Sequence, residues 1–297
     1  MDDRVDSPAL PHTQAPGAPQ EGQAAGRTVH GRPSLLLLLQ DLVASFRTPG
    51  FWLYGAWIDA SLRHRSQALG AFWSVAGTLA FVVLLGTLYS QVLNTQNPTY
   101  FAHLATGYVV FSFVQQSLRQ STSVFVKNRG MIQNGYVKYV DYVLRMFCAE
   151  LITVAYKSTI VIGALLIFPV EIGPSILVLG LTVPLFLGAV LGVCMLLSVV
   201  GARYPDVGEL LKTVLRIAFF VTPIIWVPNA ISGKGAYLGS FLYANPFYYL
   251  IEIIRAPLVY GRVPWLEIIV VATAVPIIWL LASLAYRRAR PYIPLWV

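Results

Sequence analysis

An acid and a base, Glu150 and Lys157, stand seven residues apart inside an otherwise apolar stretch. Seven residues is close to two helical turns, so the two share a helix face. Ionisable groups placed this way mark a pathway or an intramembrane pair. Two structural readings stand beside that one: a salt bridge through long side chains, and a Glu150 that snorkels to a nearby boundary. A proton relay would want further buried acids, and Glu150 stands alone in its span. The rest of the chain is poor in reactive groupings. Cys148 and Cys194 lie in apolar stretches without CxxC spacing, as small buried hydrophobes do. His12, His30, His64 and His103 are scattered, so neither a metal site nor a catalytic cluster is expected. Gly233-Lys234 lacks the earlier glycine of GxxxxGK[ST], which excludes P-loop binding of ATP on this chain.

The elements that carry these residues are set by composition. Of 297 residues, 57% are hydrophobic and only 11% charged. Soluble domains carry about 25% charged residues, so a polytopic membrane protein follows. The net charge of +8 is spread between apolar segments. Topology therefore explains it better than nucleic acid does. Residues 1–33 are rich in Pro, Gly, Ala and Gln and are read as a disordered tail, because they offer too little apolar surface to offset chain entropy. The run Leu35–Leu39 is interrupted by Gln40 and Asp41, which argues against a cleaved signal peptide.

Residues 34–68 are expected to form cytoplasmic and interfacial helices. Ser34 can cap a short helix to about Phe46, ended by Pro49-Gly50. Phe51–Arg65 mixes aromatic residues with Asp59, Arg63, His64 and Arg65, as a helix in the membrane interface does. A soluble amphipathic helix on a cytoplasmic partner would show the same pattern. Residues 69–297 form the transmembrane domain. Its expected spans are Leu69–Leu93, Phe101–Ser121, Tyr142–Phe168, Ser175–Val200, Glu209–Val227 and Trp265–Tyr286. Lys and Arg cluster before the first span, between the second and third, between the fourth and fifth, and after the last. Both termini are therefore expected on the cytoplasmic side.

Three stretches carry mechanism. Between spans five and six, Phe241–Tyr243 and Phe247–Ile254 are apolar but too short to cross, and Asn245-Pro246 separates them. They fit an outer re-entrant helix pair acting as a gate, or an interfacial hairpin. Tyr243, Asn245, Pro246, Phe247 and Tyr248 are the gate candidates. Val126–Tyr139 is basic and broken by Gly130 and Gly135. It fits a small helix docked on a soluble partner, or a solvated positive-inside loop. Aromatic residues make up 13% of the chain, and rings such as Trp73, Tyr108 and Trp226 could let a sugar chain slide along a path, or serve as packing and anchors.

Several local patterns coincide with one family. Arg65-Ser66-Gln67-Ala68-Leu69-Gly70 with Trp73 resembles the approach to the first span in permease subunits of ABC-2 type exporters. Ala202-Arg203-Tyr204-Pro205-Asp206-Val207 resembles their motif after span four, with Pro205 in place of a usual Arg. Thr222-Pro223-Ile224-Ile225-Trp226 resembles their motif at the outer end of span five. Asn245-Pro246, Glu252, Arg255 and Tyr260-Gly261-Arg262 resemble their outer helix pair. The nearest branch looks like the polysaccharide and polyol-phosphate exporters for O-antigen, capsule or teichoic acid. The resemblance implies an all-α fold with six transmembrane helices, an N-terminal interfacial helix and an outer re-entrant helix pair. It also implies a second copy of the chain and two copies of a separate ATP-binding subunit. ATP and Mg would be bound on that subunit, so this chain is not itself an enzyme. Lys127, Arg129, Met131, Lys138 and Tyr139 become candidates for coupling to it. The substrate would be a lipid-linked glycan on undecaprenyl diphosphate, with Arg63 and Arg65 as contacts for the diphosphate. The positive-inside rule alone also explains those two arginines. A secondary transporter, or an ABC-2 exporter of lipids or drugs, is the alternative. The first of these would want inverted repeats and buried carboxylates.

Overall fold

A computed structural model describes residues 36–65, 72–92, 99–135, 137–171, 173–227 and 243–297. The described residues are helical, without strands. In chain order the helices are α1 (Leu37–Arg47), α2 (Gly50–Arg65), α3 (Phe72–Val92), α4 (Tyr100–Ser121), α5 (Val124–Lys127), α6 (Arg129–Gln133), α7 (Tyr139–Ile167), α8 (Leu179–Arg203, entered through a 3-10 turn), α9 (Val207–Val221), α10 (Pro246–Val259), α11 (Trp265–Ala289) and α12 (Ile293–Trp296). The tail 1–33, the cap Ser34, the first-span entrance Ser66–Gly70 and the first gate limb Phe241–Leu242 lie outside the described residues, as does the Arg65 side chain.

Four helices are long and apolar enough to cross a bilayer: α3, α7, α8 with its 3-10 entrance, and α11. They coincide with the expected first, third, fourth and sixth spans. The other two differ, each for a physical reason. Helix α4 has 22 residues, long enough at about 33 Å. Its sequence carries His103, Gln115, Gln116, Arg119 and Gln120 and is too polar to count as a lipid-facing span. It can afford this because α3, α7, α8, α9 and α10 surround it, and most of its residues are buried. Helix α9 has only 15 residues, about 22 Å. Pro223 ends it early, and Thr222–Val227 continues as a non-helical segment.

The remaining packing ties the N-terminal helices to the bundle. Helix α2 packs along α7, and α1 packs on α11 and α7. Asp41 of α1 accepts from the Tyr286 hydroxyl at 2.9 Å and meets Arg290 at 3.4 Å. The start of the described chain and the end of α11 therefore share one end of the bundle. The cap of α1 is Leu36, without a side-chain hydrogen bond. Trp52 Nε1 instead fixes the turn into α2 by donating to the Ser45 carbonyl at 2.9 Å. One face of α2 leaves Leu53, Tyr54, Trp57 and Leu62 exposed. On its other face Arg145 grips Asp59 with two bonds, at 2.6 and 2.7 Å. Gly55 makes room for that grip, since a Cβ there would lie 2.8 Å from the Arg145 side chain. Gly55→Ala must push a pinned guanidinium aside. We expect it to destabilise the α2–α7 contact by about 1–3 kcal/mol, read as a lower unfolding temperature in detergent. Asp59→Asn should lose most of that difference when combined with it.

Candidate functional site

Polar side chains gather in two buried clusters, one at each end of α4. At the end of α4 that begins with Tyr100, Arg255 of α10 is 1% exposed, with Glu252 one turn earlier. Burying two charges is expensive unless every donor and lone pair is matched. Here most are. Arg255 Nε and Nη2 donate to Glu252 Oε2 at 3.0 and 2.5 Å. Its Nη1 donates to the Pro223 carbonyl at 2.7 Å and lies 3.2 Å from His103 Nε2. Glu252 Oε1 takes Arg262 from the loop after α10.

The tautomer of His103 follows from its neighbours. A guanidinium can only donate, so Nε2 must accept. The proton therefore sits on Nδ1 and donates to the Tyr260 hydroxyl at 2.5 Å. The loop that supplies Tyr260 and Arg262 turns at Gly261, where φ is +60° and a Cβ would run into the Glu171 carbonyl.

This cluster holds the broken end of α9. Once Pro223 interrupts the helix, several carbonyls lose their partners. Arg255 satisfies Pro223, and the Tyr100 hydroxyl satisfies Ile225 at 2.6 Å. Asn245 Nδ2 donates to Thr222 Oγ1 at 2.8 Å. The Asn245 side chain also caps α10, accepting from the Phe247 amide at 2.9 Å, with Pro246 at the first helical position. That is the helix start the Asn245-Pro246 pair predicts.

Among the gate candidates, Asn245 and Tyr248 are buried, Phe247 is half-buried, and Tyr243 and Pro246 are exposed. The Tyr248 hydroxyl reaches Glu267 at 3.4 Å. Phe247 packs edge-on to Phe111 at 5.7 Å. Tyr108 stacks on Phe81 at 4.4 Å, and both meet Phe219, which meets Phe111. Tyr108 thus belongs to a packed aromatic cluster shared by α3, α4, α9 and α10. Trp73 is exposed at the start of α3, and Trp226 donates to the Phe220 carbonyl at 3.3 Å. These three path candidates do not converge on one another.

The second cluster lies at the other end of α4. Glu150, 2% exposed, takes Arg63 of α2 at 2.5 Å and Gln120 of α4 at 2.6 Å, both on Oε1. The expected Glu150–Lys157 pair is therefore corrected: the partner of Glu150 is Arg63. Lys157 lies two turns deeper on α7, half-buried. A cation arriving from α2 at the boundary reaches the carboxylate with less desolvation than one inside the span. Arg63 is correspondingly committed to a carboxylate.

Beyond this cluster come the short helices α5 and α6. Phe125 and Ile132 are buried, and Phe125 meets the Tyr139 ring at 6.0 Å. Lys127, Arg129 and Met131 are exposed, and Lys138 and Tyr139 half-buried. Desolvation by neighbouring groups, together with nearby Arg63 and Arg119, holds the Lys127 pKa below its ordinary value although the side chain is exposed, against an opposing pull from Glu150. The coupling candidates therefore lie on α5, on α6 and at the start of α7, in one basic stretch of chain.

Sequence reasoning passed over His103 as isolated. Nothing short of the fold joins it to residues about 150 positions away.

Residues 54–259 match the ABC-2 type transporter family, well over half of the chain, and the chain belongs to that family. Its relatives include the O-antigen export system permease protein RfbA of Klebsiella pneumoniae, 24% identical over 188 residues, covering 62% of this chain and 71% of the relative. The polysialic acid transport protein KpsM of Escherichia coli is 22% identical over 201 residues, covering 66% and 76%.

Arg255→Ala leaves Glu252 buried with Arg262 alone and frees the Pro223 carbonyl. We expect a loss of about 3–5 kcal/mol of stability, measured by unfolding in detergent. Glu252→Gln with Arg255→Gln should recover part of it, as the double-mutant cycle would read.

Proposed function

We propose that this chain is the transmembrane subunit of an ATP-driven exporter that moves a lipid-linked polysaccharide, such as an undecaprenyl-diphosphate O-antigen, across the bacterial inner membrane. One observation carries the reading. The stretch 54–259 belongs to the ABC-2 type family, and relatives aligned over most of their length are named for O-antigen export and polysialic acid transport. ATP with Mg is bound and hydrolysed on a separate subunit, because this sequence contains no P-loop.

In this reading the chain crosses six times. Helix α4 is the second crossing, and α9 with Thr222–Val227 is the fifth. Helix α10 is the returning limb of the outer re-entrant pair, running from Phe247 beside Phe111 to Arg255 beside His103, and both termini are cytoplasmic. Two copies form the path. An apolar stripe on α9, Leu210, Val214, Ile217 and Val221, is exposed in the single chain and supports a helix partner. The exposed basic and apolar side chains of α5 and α6 support docking of the ATP-binding subunit. The capture of Glu150 by Arg63 and Gln120 weighs against a secondary carrier, which would want an uncommitted carboxylate near the midplane.

The test is co-purification with the ATP-binding subunit. A two-plus-two assembly with ATPase activity is the expected result; a lone chain that binds no such subunit would overturn the reading. Charge reversal at Arg129 and Lys138 should weaken that complex by about tenfold or more while membrane insertion stays intact. Unchanged ATPase coupling would remove α5–α6 as the docking element. For topology, a single cysteine at exposed Tyr243, with Cys148 and Cys194 replaced, should react with an impermeant maleimide from outside the cell. Labelling only from inside would reverse the orientation.

A further inference from the structure

A cavity of about 530 Å3 opens where α4 ends and α9 begins. That is within the roughly 300–1,000 Å3 of ligand pockets. Three cations stand on its wall: Arg119 from α4, Lys127 from α5 and Lys212 from α9. Among the described lining residues Glu209 is the one acid, and Lys212 holds it at 2.5 Å. Arg119 donates once, to Gln116 Oε1 at 2.7 Å. The Lys127 ammonium makes no hydrogen bond or ion pair among the described residues. The nearby Arg63 is neutralised by Glu150. The wall therefore keeps two cations, Arg119 and Lys127, without matching acids.

The geometry points to a binding site for a phosphate ester or diphosphate group between Arg119, Lys127 and Lys212. A planar guanidinium fork and ammonium point charges lining one cavity are the donors that phosphoryl oxygens take. Gln116 and Gln120 add amide groups beside them. Desolvation first, and then the like charges of Arg63 and Arg119, lower the Lys127 pKa, and such an anion would offset the second of these.

The position fits one source of the group. The cavity lies at the ends of α4 and α8, where a crossing helix gives way to a short polar connection. A lipid-linked glycan carries its diphosphate at the same boundary, between an apolar tail and a polar chain. This identification rests on the exporter reading, while the anion site itself rests on the cavity. It also moves the expected diphosphate contact from Arg63, which is occupied, to the cations across the pocket.

The full chain in complex with its ATP-binding subunit should be titrated with geranylgeranyl diphosphate and, separately, inorganic pyrophosphate. We expect Arg119→Gln and Lys127→Gln each to weaken binding by about tenfold. Arg216→Gln removes an exposed charge of α9 outside the cavity and should stay within about twofold of the parent. Unfolding temperatures of all variants should match, because none of these side chains is buried. Binding that needs the prenyl chain assigns the site to a lipid headgroup; equal binding of pyrophosphate assigns it to a free phosphate compound; both support the site. Unchanged binding in both pocket variants overturns it, even if the complex assembles and hydrolyses ATP. Variants that lose the ATP-binding subunit but keep diphosphate affinity would also overturn it, making the pocket a protein socket. Failure of the complex to form with the parent chain would count against the exporter reading alone, since the same titration can be run on the single subunit.

Discussion

A proline ends α9 part-way through the bundle, and the rest of that end of the molecule is arranged around the carbonyls it frees. In water those carbonyls would be solvated; in a protein interior each needs a donor. Arg255 supplies one donor and Tyr100 another. A buried guanidinium then requires its own counter-charge, which is Glu252 from the same helix. Glu252 has lone pairs left over and takes Arg262, while His103 fixes the remaining face of the guanidinium. The network is thus a chain of consequences that starts where the helix stops, because the Pro223 and Ile225 carbonyls have no following turn to bond.

Helix α4 is the member that pays in hydropathy. It carries His103 into the cluster at one end and Gln120 into the Glu150 cluster at the other. Seventeen residues separate them, about 25 Å along the axis. A helix facing lipid could not hold these groups, whereas one enclosed by five others can. The polarity that makes α4 a poor lipid-facing span is what lets it link the two clusters.

The clusters also differ in how they respond to change. Around Arg255 the guanidinium, Glu252 and His103 are all buried within the bundle, so loss of one partner strands another. Around Glu150 the counter-charge comes from α2, a helix with one face exposed. An ion pair that crosses from a boundary helix to a core helix can couple movement of the first to the second. Arg145 and Asp59 form a second clamp along the same seam. The α2–α7 seam therefore joins the boundary helix to the bundle at two points, beside the basic connection of α5 and α6.

Much of this was legible in residue types. Apolar segments of spanning length, punctuated by basic connections, define a polytopic all-helical protein, because backbone groups in lipid must bond within their own segment. Asn245-Pro246 announces a helix start from local stereochemistry, and it is one. Pairing was not legible. Glu150 and Lys157 share a helix face by periodicity, yet the carboxylate takes Arg63 from 87 residues away. His103 looks isolated until α10 is laid beside α4. Helical periodicity says which residues share a face, since it depends only on dihedral angles. Which faces meet depends on packing between segments far apart in the chain, and there the tertiary structure decided what each charge binds.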